Sequence, residues 1–279
     1  MRRSTVVVAV GVLIAITSHA DPLENTVEDE LGHLLNTGGP AEPKQPIAPR
    51  LILDRTVAVS PADYTDVVVS HAMEESRFVN ARQPVFVKSA DGTASWVVAD
   101  LGLFDMCSKP AGCDRDPPVG RGHVVAVFDH DGKAVAWAIG WSLTASQRTT
   151  PDVFARRIDP GTEDAVHEFE STLGDPAAFA KTISDRKDAV LFGSEPTEHY
   201  IGGALVRARL AKWRLALKIR DGVQAGLAAK SVAFVAANVD ATANGKTTPY
   251  RLFAIYEKTD GAWRAVLVQF ADVAKPPKP

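Results

Sequence analysis

Apolar and polar positions along the chain follow two distinct periods. Val166, Phe169 and Leu173 return at helical spacing behind Glu163 and Asp164, and Leu31, Leu34 and Leu35 do so behind Glu28 and Asp29. Both stretches read as amphipathic helices. A third helix is predicted from Ile201 to Arg220, where Val206, Leu210, Trp213 and Leu217 form one stripe. Elsewhere the period is two, or the run is continuously apolar, and the segments 93–100, 124–128, 134–141, 231–238, 252–256 and 263–270 read as strands. Asp91-Gly92, Asp131-Gly132, Asn244-Gly245 and Asp260-Gly261 sit between such runs. These pairs tolerate positive φ and predict hairpin turns.

The elements recur in the same order. The helix openings Glu28 and Glu163 stand 135 positions apart, the strand starts Thr93 and Ser231 138 apart, and the turns Asp131 and Asp260 129 apart. A short apolar segment at 55–60 matches another at 188–194. The pattern predicts two tandem copies of an α+β unit, each with helices first and an antiparallel sheet after. The drop from 138 to 129 places nine extra residues in the first copy, in the interval that holds both cysteines.

Composition sharpens the organisation. A length of 279 residues suits two domains. With 31 basic and 34 acidic residues and no basic tract, nucleic acid is not an expected partner. Arg2-Arg3, the apolar run Val6 to Ile16, and Ser18 and Ala20 before Asp21 form a secretory signal at 1–20, with cleavage expected after Ala20 and export to the periplasm or medium. The run is too short to span a bilayer, so no stable membrane span is expected after cleavage. In that compartment Cys107 and Cys113 are expected to form a local disulfide that pins the loop 105–121. The first domain is placed at 21–145, with a proline-rich loop at 38–49. A linker is placed at 146–162, the second domain at 163–273, and a frayed tail at 274–279.

Ionisable side chains cluster most densely at Glu195, Glu198, His199 and Tyr200, which read either as an acid/base group or as a turn with acids near a helix N-terminus. Asp100 closes the strand that begins at Trp96. His71 with Glu74 lacks a third metal ligand, Asp129-His130-Asp131 occupies a turn, and Asn244-Gly245-Lys246-Thr247 lacks the upstream glycine of a phosphate loop. No metal and no cofactor are expected.

The segment Asp188 to Gly202, with Gly193-Ser194-Glu195-Pro196 followed by Glu198 and Tyr200, and the hairpin Asp260-Gly261-Ala262-Trp263 to Phe270 resemble a SnoaL-like domain of the nuclear transport factor 2-like superfamily. The resemblance covers about 163–273; the first copy, about 27–144, resembles it more weakly. It implies a curved antiparallel sheet wrapped around helices as a cone with a pocket at its open end. It also implies candidate pocket residues Tyr200, Trp213, Tyr256, Trp96 and Asp100. Enzymes of the superfamily use a pocket carboxylate or His as base with a Tyr or acid stabilising an enolate, which makes Glu198 and Tyr200 the catalytic candidates. No carboxylate falls on a matched catalytic position. The leading expectation is non-catalytic binding of a small apolar molecule or a protein partner. Two alternatives stand beside it: an isomerase or polyketide cyclase, and an interaction module whose cones are filled by their own side chains. Whether the domains pair with each other or dimerise stays open.

Overall fold

The computed structural model describes residues 51–53, 58–59, 77–105, 120–141, 148–150, 153–195 and 197–273. The export segment, the helix behind Glu28, the proline-rich loop, His71 with Glu74, the Cys107–Cys113 pair and the tail lie outside them.

Six strands form the first sheet: β1 (Leu51–Leu53), β2 (Ala58–Val59), β3 (Arg77–Lys88), β4 (Ser95–Asp105), β5 (Gly120–Phe128) and β6 (Ala134–Trp141), in the order β2-β1-β6-β5-β4-β3. The second sheet has seven strands. They are β7 (Arg157–Ile158), β8 (Val190–Phe192), β9 (His199–Ile201), β10 (Ala216–Ala229), β11 (Val232–Ala243), β12 (Lys246–Thr259) and β13 (Ala262–Ala271), in the order β7-β10-β11-β12-β13-β8-β9. Their wiring is alike. In each sheet a short strand, β1 or β8, runs parallel to the last hairpin strand, β6 or β13, and carries a short antiparallel partner, β2 or β9.

All four predicted turns join antiparallel neighbours. Asn244 and Gly245 have φ of 50° and 74°, and Asp260 and Gly261 have 52° and 80°. Positive φ at both positions matches the right-handed twist of the flanking strands.

The helices α1 (Glu163–Thr172), α2 (Pro176–Thr182) and α3 (Gly203–Leu210) cover one face of the second sheet. Asp175 caps α2 by accepting from the Ala177 amide at 2.9 Å, and Pro176 takes the first helical position, where its missing N–H goes unneeded. Phe169 and Phe179 meet edge to face and pack with Leu191, Val206, Leu210, Tyr256 and Val268 in one apolar cluster. The single helix predicted from Ile201 to Arg220 is corrected. α3 ends at Leu210, and β10 begins at Ala216. From Leu217 onward buried or half-buried residues alternate with Lys218 and Arg220, a period of two that the helical stripe overlapped. Val206, Leu210, Trp213 and Leu217 still enter one core, from two elements instead of one.

The opposite face of the second sheet lies against the first. Val87, Trp96, Val98, Val125, Val127 and Ala138 meet Phe192, Val232, Phe234, Ala236, Phe253, Ile255 and Leu267 across this junction. β11 is therefore apolar on both sides, with Phe234 and Ala236 turned to the first sheet and Val235 and Ala237 to the helices. Part of the predicted linker is built into this structure: Phe154 is buried in the junction, and β7 pairs in parallel with β10.

Candidate functional site

The densest group of ionisable residues in the sequence forms a rim beside β8 and β9. The Gly193 amide donates to the Glu198 carbonyl at 2.7 Å, and the Glu198 amide to the Glu195 carbonyl at 2.9 Å, closing a tight turn. The Glu198 side chain folds back over Gly193, where a Cβ would come within 2.1 Å of its Oε2, so the turn requires glycine. Arg209 from α3 reaches Glu198 at 3.4 Å and lies over the Tyr200 ring at 5.2 Å from its centroid. Arg148 reaches the buried Asp272 at 2.9 Å and Glu195 at 3.4 Å. Burial pushes the Tyr250 phenol above its ordinary value; Asp272 and Glu198 add to the rise, while Ser194 and Arg148 oppose it. Trp213 meets Phe270 edge to face at 5.0 Å, and Tyr250 meets the same ring at 6.3 Å. The rim thus holds three carboxylates paired with two guanidinium groups beside an aromatic group, with each acid already facing a cation.

The expected pocket residues do not converge on one site. Tyr200 and Trp213 stand at this rim, half-buried against the helix-side core. Tyr256 is fully buried inside that core, and burial raises its pKa. Trp96 lies in the junction between the sheets, with Arg186 over its ring at 5.3 Å. Asp100 is half-exposed and pairs with His123.

A second feature lies at the hairpin ends. Lys181, Ile183, Asp185, Arg207, Asp260 and Arg264 wall a cleft of about 750 Å³, with Arg186 and Glu257 at its base. Arg186 donates to both Glu257 oxygens at 3.1 and 3.3 Å, to Asp188 at 2.8 Å through two nitrogens, and to the Lys88 carbonyl at 2.9 Å. The Glu257 side chain is 3% exposed and also accepts from the Ala90 amide at 2.5 Å. The paired arginine holds Asp188 below the usual carboxylate range. Asp91 accepts from Ser231 at 2.5 Å and from Thr93 and Ser89, bonds that hold its carboxyl far below the usual range. The β3–β4 turn of the first sheet is thereby tied to the second sheet at the cleft edge.

Sequence reasoning missed Arg148, Arg186, Glu257 and Asp272. A charged residue flanked by strand apolars, as Glu257 is after Tyr256, was the available signal, since an acid buried there needs a cation. Among the described residues, one group of three ligand-type side chains draws together, Asp129, His130 and Asp131. It sits on the β5–β6 turn, where Asp129 accepts from the amides of Asp131 and Lys133 at 3.0 Å.

No protein-family model matches the chain, and no curated protein does. Solved structures similar to it include a nuclear transport factor 2-like protein of unknown function from Shewanella oneidensis. It is 18% identical, covering 40% of this chain and 98% of that one, with a TM-score of 0.33. A nuclear transport factor 2-like protein from Salmonella enterica is 17% identical over 42% and 89%, with a TM-score of 0.31. Another of unknown function, from Pseudomonas putida, is 11% identical over 39% and 82%, with a TM-score of 0.32.

Proposed function

We propose that the chain is a non-catalytic interaction module whose second cone is filled by its own side chains, and that its partner is a protein segment carrying charges of both signs. One observation carries this reading. The large cleft is walled by four cations and three acids, whereas the aromatic residues suited to an apolar ligand are packed into cores or edge to face against one another at the rim. At the rim, Glu198 faces Arg209 and Asp272 faces Arg148, so neither is poised as a free base. Affinity capture with the wild type is expected to recover a polypeptide that Lys181→Glu with Arg264→Glu loses and Glu198→Gln retains. Isomerase- or cyclase-type turnover abolished by Glu198→Gln or Tyr200→Phe would overturn the reading.

The same proposal includes two tandem units, supported by the shared wiring of the two sheets. It also includes export with cleavage after Ala20, supported by the residues of the leader. A mature chain beginning at Asp21 in N-terminal sequencing is expected; secreted material beginning at Met1 would contradict export by cleavage.

A further inference from the structure

His123 comes from β5, Asp100 is its register partner on β4, and His199 comes from β9 of the other sheet. We propose that these three side chains form a pH-sensitive clasp across the junction of the two sheets, closed while both imidazoles are neutral and loosened as they take up protons.

The geometry carries the assignment. His123 stacks on Phe192 of β8 with ring centroids 4.2 Å apart, and His199 lies against the same phenyl ring at 4.5 Å, so Phe192 contacts rings from both sheets. One carboxylate oxygen serves both histidines: Asp100 Oδ1 is 3.1 Å from His123 Nδ1 and 3.9 Å from His199 Nδ1. The far Nε2 atoms of both rings are buried and meet no hydrogen-bond partner. A neutral ring protonated on Nδ1 fits this setting, because its N–H faces Asp100 and its bare Nε2 needs no acceptor. A second proton would add a positive charge in a buried setting where neither Nε2 has a hydrogen-bond partner, the Glu195 backbone alone, besides Asp100, favouring it at His123. Two charged rings would also face one another, 6.0 Å apart, over a single negative charge.

The other groups around the cluster do not relieve this. Gln269 of β13 is neutral and donates to the His123 carbonyl at 3.3 Å, and Phe192 is apolar. Arg82 is the register partner of Asp100 on β3. The backbone of Glu195 and the Asp100 carboxylate favour the charged form of His123, but burial outweighs them and depresses its pKa, with His199 contributing; burial likewise depresses His199 against Asp100.

The sign of the linkage follows. A histidine whose folded pKa lies below its unfolded value of about 6.5 binds protons preferentially when unfolded. The clasp is therefore fully stabilising above about pH 6.5 and weakens as pH falls from there to the folded pKa. Each unit of depression, per ring, lowers the folded-to-unfolded ratio about tenfold at the acid end of the window.

Denaturant unfolding of the full chain between about pH 7.5 and 5.5, in the range where histidine titrates, tests the proposal against His123→Phe with His199→Phe. The wild-type midpoint is expected to fall on acidification, and the double variant to lose that part of the fall while keeping the contributions of the remaining histidines. Equal pH dependence in the two proteins would overturn the clasp. Should the variant fold poorly, imidazole titration of the wild type by NMR decides: both rings titrating below 6.5 supports the clasp, and either titrating at or above it refutes it. Amide exchange in β8 and β9, corrected for intrinsic rate, is expected to quicken at the acid end; unchanged protection there would also refute it.

Discussion

Single side chains decide how the candidate sites are held. Gly193→Ala places a methyl against Glu198, and with no room to shift freely the turn is expected to lose about 1–3 kcal/mol, read by chemical denaturation. An unchanged midpoint would show that Glu198 does not rest on Gly193. Arg186→Ala strands the buried Glu257 carboxylate and is expected to cost about 3–5 kcal/mol. Adding Glu257→Gln should recover part of that loss, because the uncompensated charge is then gone; strict additivity of the two losses would contradict the pairing. Little of this was legible in sequence. Glu198 and Tyr200 were found because they crowd together locally, but their cation, Arg209, and the pair Arg148–Asp272 meet only through tertiary contact. His123 gave no local signal, since its partners stand 23 and 76 positions away.

Elements were easier to read than sites, because turns and periods are local. The four turn pairs all join hairpins, and their chemistry carries a check of its own. Gly245 and Gly261 have positive φ and nothing within 4 Å of an added Cβ, so replacing either with Ala adds backbone strain alone. A loss of about 1–2 kcal/mol is expected for each in thermal or denaturant unfolding. A negligible loss would place these turns in another conformation. The helix expected at 201–220 shows where periodicity fails: Val206, Leu210, Trp213 and Leu217 satisfy a helical stripe, while Leu215, Leu217 and Ile219 satisfy a strand. Pairing of Leu217 with Ala241 on β11 settles the second half as strand. Arg207, Arg209 and Arg220 each meet an acid, namely Asp185, Glu198 and Asp240.

In the whole molecule, the second sheet is covered by helices on one face and by the first sheet on the other, so the junction is a core and not a boundary. Phe234 is 2% exposed at its centre and stacks on Phe253. Phe234→Ala is expected to cost about 3–5 kcal/mol and to weaken both sheets in one transition. Tryptophan fluorescence reads both, through Trp96 and Trp137 in the first sheet and Trp213 and Trp263 in the second half; two separated transitions in the wild type would contradict a shared core. The hairpins of both sheets were legible in sequence, but face-to-face packing was not, because apolar strands do not name the face they bury against. The proposed filled cone and charge-walled cleft meet their most direct check in native mass spectrometry of the purified full chain. The expected species is the polypeptide alone, or the polypeptide with a protein partner that Lys181→Glu and Arg264→Glu remove. A stoichiometric apolar small molecule, retained in the native spectrum and released on denaturation, would contradict it.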